Sequence, residues 1–145
     1  ALAPDSGVER WTASVSGGIS ATERDAETFF VGTGRGGVLA LSQSEGEPRW
    51  RVPGEENGDA DDAPGIADLG SDGSLVYVFD QRGTVRAFDA ANGERRDRFR
   101  VAEKTWDDRC GWSPGYHRGS GLALGDDELF VSGPWVGAVD RYREA

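Results

Sequence analysis

Three groups of residues have the types and spacing that chemistry uses. The first is Gly32, Gly34 and Gly37 within FFVGTGRGGVLAL (29–41), a G-x-G-x-x-G spacing behind an apolar run. In a dinucleotide site such glycines let the backbone approach a pyrophosphate at the N-terminus of a helix. The second is VAEKTWDDRCGWSPGYHRGSG (101–121), which gathers Trp106, Asp107, Asp108, Arg109, Cys110, Trp112, Tyr116 and His117. Cys110 and His117 are a nucleophile and a base by type, and the aromatic and charged side chains around them suit a ligand or partner contact. The third is acidic. EENGDADDAPG (55–65) alternates Asn57, Asp59 and Asp61 as a calcium loop does, and DLGSDGS (68–74) has Asp68, Asp72 and Gly73 in a partial version of that spacing.

Each group depends on the element that carries it. The residues after Gly37 continue as VLALS, a strand pattern, where a nucleotide turn requires a helix. These glycines therefore read as a hairpin turn, with glycine supplying the positive φ. Cys110 and His117 lie in a Gly/Pro-containing connection that does not bring them together by spacing alone. No catalytic residue is expected, and the segment reads as a loop packed by its own aromatics or as a contact surface comprising Trp106, Asp107, Asp108, Arg109, Trp112, Tyr116 and His117. In the acidic loop, Asp62 stands where calcium loops need Gly, and Pro64 follows. It reads as a solvated acidic loop, and 68–74 as a turn into Leu75; no metal site is expected.

Composition narrows the field. The chain has 145 residues, 22 of them Gly, 37% hydrophobic residues and a net charge of −10. Abundant glycine with modest hydrophobicity suits short strands and frequent turns. The acidic balance argues against a phosphate-backbone partner. Of the 16 Lys and Arg residues only Lys104 is lysine, a bias expected of a GC-rich genome or of a salt-adapted acidic surface. Cys110 is the single cysteine, so no internal disulfide forms. No apolar run reaches the roughly 20 residues of a membrane-spanning helix, and no signal peptide is visible.

The chain repeats. ALAPDSGVERW (1–11), ALSQSEGEPRW (40–50) and AFDAANGERRD (87–97) each begin with Ala and carry Gly at the seventh place; a shorter copy, AVDRYREA, starts at Ala138. The starts lie 39, 47 and 51 residues apart, a propeller-blade period. Before each Ala stands a hairpin pattern: FFVGTGRGGVLAL, VYVFDQRGTVRAF and LFVSGPWVGAV.

These stretches resemble the tryptophan-docking motif of quinoprotein-like β-propellers, Ala-x-Asp-x-x-Thr-Gly-x-x-x-Trp. The matching residues are Ala1, Gly7 and Trp11; Ala40, Gly46 and Trp50; and Ala87, Asp89 and Gly93. Asp97 stands where the third Trp is expected, and Phe99, with a shifted register, is the candidate substitute. The resemblance implies an all-β fold of about three four-stranded antiparallel blades, forming a partial propeller within one repeat domain (1–145). The units are 1–39, 40–86 and 87–137, each sheet starting at its Trp strand, and a fourth motif begins at 138–145. A ring of eight such blades needs roughly 360 residues, so a fragment of a longer extracytoplasmic protein is expected, its ring completed by further blades or subunits. The implied role is a non-catalytic platform binding a protein or ligand on a rim, as in scaffold lipoproteins of outer-membrane assembly. The alternative is a fragment of a quinone-dependent dehydrogenase, whose pyrroloquinoline quinone and calcium would be held outside these residues. No cofactor is expected within them.

Overall fold

The computed structural model describes residues 1–54, 64–101 and 121–132, and the backbone of the strand 136–140. All regular structure within these limits is β. Eleven strands follow in order: β1 (Ile19–Arg24), β2 (Thr28–Thr33), β3 (Val38–Ser42), β4 (Pro48–Val52), β5 (Ile66–Ser71), β6 (Leu75–Asp80), β7 (Thr84–Asp89), β8 (Arg95–Arg100), β9 (Gly121–Leu124), β10 (Glu128–Ser132) and β11 (Val136–Asp140). They form three antiparallel meanders: β1-β2-β3-β4, β5-β6-β7-β8 and β9-β10-β11. The first strands of the sheets are neighbours, β1 beside β5 and β5 beside β9. The sheets therefore stack face to face, with β1, β5 and β9 innermost and β4 and β8 outermost, as blades do around an axis.

The second sheet is buried on both faces, which explains the unbroken apolar run of β6. Val76 and Val78 face the first sheet, in a core with Phe30, Val38, Ala40, Ile66, Leu69 and Phe88. Tyr77 and Phe79 face the third, with Val85, Ala87, Leu129 and Val131. Period-two alternation thus assigns successive residues of one strand to two different cores. The sheets approach most closely at glycines. A Cβ on Gly32 would lie 2.6 Å from Ile66 of the next sheet, and one on Gly70 would lie 2.6 Å from Leu122 of the one after. Beside that second approach, the Asp68 carboxylate accepts the Leu122 backbone N–H at 2.7 Å, linking inner strands β5 and β9.

The phase of the sheets differs from the sequence reading in one respect. Trp50 lies on β4, which pairs with β3, Trp50 opposite Ala40. The Trp strand therefore closes the sheet of the hairpin before it instead of opening the next. The residues around Trp11 (10–15) carry no strand, and the first sheet begins at Ile19. The physical reason is local: a strand separated from β3 by the short turn 43–47 pairs with it at once, whereas its link to β5 spans 53–65.

The G-x-G-x-x-G group is a hairpin. Gly32 belongs to β2, and the turn between β2 and β3 has its positive φ, 78°, at Gly36. Thr33 Oγ1 accepts the Gly37 N–H at 2.9 Å, closing the turn. In the next sheet the Asp80 carboxylate has that role, accepting the N–H groups of Arg82 and Thr84. Asp72 likewise accepts the N–H groups of Ser74 and Leu75, so 72–74 forms the expected turn into Leu75, whereas 68–71 belongs to β5.

Candidate functional site

The three eleven-residue copies share one backbone turn. In each, the N–H of the third residue donates to the carbonyl of the eighth: Ala3 to Val8, Ser42 to Glu47, Asp89 to Glu94. The N–H of the glycine returns to the third residue: Gly7 to Ala3, Gly46 to Ser42, Gly93 to Asp89. The glycines have φ of 69°, 73° and 74°, a region that disfavours residues bearing a Cβ. Ala40 and Ala87 are fully buried, each in one of the two cores.

Two of these turns receive an indole from the preceding copy. Trp11 N–H donates to the Gln43 carbonyl at 2.9 Å, and Trp50 N–H donates to the Ala90 carbonyl at 2.9 Å. Each acceptor is the fourth residue of its motif. The rings lie over the turn glycines: a Cβ on Gly46 would collide with Trp11, and one on Gly93 would sit 2.6 Å from Trp50. Space above Gly7 is open. Trp50 also packs on Phe30, ring centroids 5.9 Å apart, and Trp11 meets Phe29 edge-on at 6.5 Å. Sequence reasoning named the rings and glycines but not the carbonyl acceptors, which any residue type supplies.

The third copy departs from the other two in keeping with its sequence. Asp97 lies opposite Ala87, as Trp50 lies opposite Ala40, so the register is unshifted. Phe99, opposite Val85, packs against the second core. An irregularity at the same point of both pairings, Ala40/Leu41 and Ala87/Phe88, places Arg49 and Arg96 at the bulge. Each of these arginines finds an acid: Arg49 reaches Glu27 at 3.4 Å, and Arg96 reaches Asp89 at 2.9 Å.

That last contact has a titration consequence. The hydrogen bond from Arg96 holds the Asp89 carboxyl below the ordinary carboxylate range; burial opposes this, and the N–H groups of Ala91 and Asn92 reinforce it. A depressed folded-state pKa stabilises the fold above the unfolded value and ceases to do so as pH falls through the folded one. Asp89→Asn retains an oxygen for the turn but not the charge. Its loss of stability should be largest at neutral pH and should shrink below about pH 4. Urea midpoints of both proteins at pH 7 and pH 3 check this; a gap independent of pH would contradict it.

The sheets create two unlike rims. One carries the docking turns. The other carries the hairpin turns 34–37 and 81–83 and the ends of both long connections, because β4 and β8 finish beside the starts of β3 and β7. At this rim a recess of about 490 Å³ is lined by residues including Val15, Thr33, Arg35, Leu39, Arg51 and Gly54. Trp106, Asp107, Asp108, Arg109, Trp112, Tyr116 and His117 lie outside the described residues, as do Cys110 and Asn57, Asp59, Asp61 and Asp62. Their connections leave from and return to this connector rim. Among the described residues no three His, Cys, Asp or Glu side chains are placed to share a metal ion. No helix among the described residues is long and apolar enough to cross a membrane.

Comparison with known proteins agrees with this geometry. The family model described as outer membrane protein assembly factor BamB matches residues 1–133. BamB from Moraxella catarrhalis superposes with a TM-score of 0.66 at 18% identity, over 92% of this chain and 37% of that one. A europium-containing methanol dehydrogenase gives 0.61 at 18% identity, over 90% of this chain and 24% of that one. Quinohemoprotein alcohol dehydrogenase ADHIIG from Pseudomonas putida HK5 gives 0.60 at 16% identity, over 88% and 20%. The chain thus spans well under half the length of each of these solved proteins. No curated protein sequence matches it.

Proposed function

The chain belongs to the family of outer membrane protein assembly factor BamB, and from that membership we propose that it is a non-catalytic propeller module, extracytoplasmic in location, that binds a protein or ligand at its connector rim. The observation that carries the reading is the family match over residues 1–133. The repeated docking turns support it, since they make a rigid stack from which loops are presented. Long connections on a rigid scaffold are where binding surfaces usually lie. The module would act with further blades, in the same protein or another subunit, because propellers close with four or more. Trp106, Asp107, Asp108, Arg109, Trp112, Tyr116 and His117 are proposed as contact residues of the 101–121 connection, and the module is proposed to need no cofactor.

The dehydrogenases share the fold at 16–18% identity, and that likeness speaks to fold alone. A photocrosslinking residue placed at Arg35, on the connector rim, should give partner adducts, whereas one at Asn92, on the docking-turn rim, should give none. Adducts from position 92 alone, or a quinone chromophore retained with calcium, would overturn the proposal.

A further inference from the structure

Arginine in this acidic chain is concentrated on the outer strands. β8 reads RRDRFR, with four arginines against one acid, while the chain as a whole carries a charge of −10. On β4, Arg49 is engaged by Glu27 and Thr28, and Arg51 reaches Ser16. On β8, Arg96 is held by Asp89 and Glu94. Arg98 and Arg100 are different. Both are exposed, and no side-chain hydrogen bond or ion pair engages either one among the described residues. They line an open recess of about 490 Å³ with Arg82, Thr84 and Phe99.

The pairing register makes this concentration costly. Arg98 lies directly opposite Arg86, and Arg100 opposite Thr84, which follows Arg82 by two positions. Like charges facing each other across a sheet are destabilising. An anion in the recess would relieve that repulsion, and guanidinium groups favour carboxylates that can be gripped by two N–H groups at once.

The geometry points to an extended acidic peptide as the occupant: Arg98 and Arg100 on the outer strand bind carboxylates carried at alternate positions of a partner segment. Alternate residues of a strand lie about 6.8 Å apart on one face, and this repeat is common to β8 and to an extended peptide laid beside it. Side chains are the recognising groups. The Arg98 N–H is already taken by the Asp97 carboxylate at 2.7 Å, which partly closes the edge to backbone pairing. A nucleic acid fits less well, because its charged backbone continues past the recess over the acidic remainder of the chain, which a short peptide need not cover. This surface lies on the outer edge where β8 reaches the connector rim; its two arginines belong to the strand and not to the connections, and the inference stands whether or not those loops bind anything.

The test uses the full chain and a fluorescein-labelled peptide alternating Glu with Thr and Val. Anisotropy should show saturable binding that weakens by about tenfold in Arg98→Gln/Arg100→Gln and is unchanged in Arg24→Gln, an exposed arginine on inner strand β1. Replacing the peptide's Glu by Gln should abolish binding to the unsubstituted chain, an arm that needs no protein variant. Thermal melts establish that the substituted proteins are folded. Absent binding, equal binding by the double variant, or equal binding of the Gln peptide would overturn the inference. So would tighter binding of a single-stranded DNA oligomer than of the peptide. Dimerisation that is lost in the double variant would assign the surface to a second copy and also overturn it.

Discussion

Trp50→Ala should cost about 3–5 kcal/mol of stability, a large share of what a domain of this size possesses. The ring touches three things that no other side chain of β4 can reach together. It packs on Phe30 in the first core, covers the Gly93 turn, and donates to the Ala90 carbonyl at 2.9 Å. Removing it opens a void between two sheets whose contact holds the stack together, and leaves a carbonyl without its donor. Trp50→Phe separates these contributions: it keeps most of the ring and lacks the N–H, so about 1–2 kcal/mol is expected from the lost hydrogen bond and altered shape. Urea unfolding gives both values. A loss under about 1 kcal/mol for Trp50→Ala would mean that the sheets are joined mainly by aliphatic contacts such as Ile66 with Gly32.

Much of this architecture is legible in the residues. Alternation in VYVF marks a strand; that both of its faces are buried follows from the sheets packed on either side of it. The eleven-residue spacing locates the docking turns, since the glycines at the seventh place meet a backbone need that side chains cannot. Other features are less visible. The phase of each sheet depends on whether the Trp strand pairs backward to β3 or forward to β5, and strand sequence does not encode the direction; connection length does, through the cost of closing a long loop. The substitution of Asp97 for Trp invites a shifted register, yet the ladder keeps Ala87 opposite that position. Backbone pairing with β7 before and after that position, Arg95 with Phe88 and Arg98 with Arg86, fixes register more firmly than one missing side chain can disturb it. Gly32 and Gly70 look like turn residues in the sequence, whereas they are strand residues placed where sheets converge. The proposed contact residues of 101–121 are legible as a concentration of aromatic and charged groups, but local spacing cannot say which of them share a surface.

Gly93→Ala is expected to cost about 2–4 kcal/mol, and its value lies in being separable into two causes. Any Cβ at φ of 74° costs roughly 1–2 kcal/mol in the left-handed region. At Gly93 the same Cβ would also meet Trp50 at 2.6 Å, so the ring must shift and lose its fit, a further one or more kcal/mol by analogy with overpacked cores. Gly7 supplies the control within the same chain. Its turn has the same hydrogen bonds and φ of 69°, and nothing lies within 4 Å of the added carbon. Gly7→Ala should therefore show the backbone cost alone. In a Trp50→Ala background, Gly93→Ala should fall to the Gly7 value, because the clashing partner is gone; the difference across the cycle measures the coupling between ring and turn. Unfolding midpoints of the four proteins of the cycle and of Gly7→Ala decide it. If Gly93→Ala costs the same with and without the indole, the glycine is required by its backbone angle only, and the ring's position over the turn contributes nothing to the joint between blades.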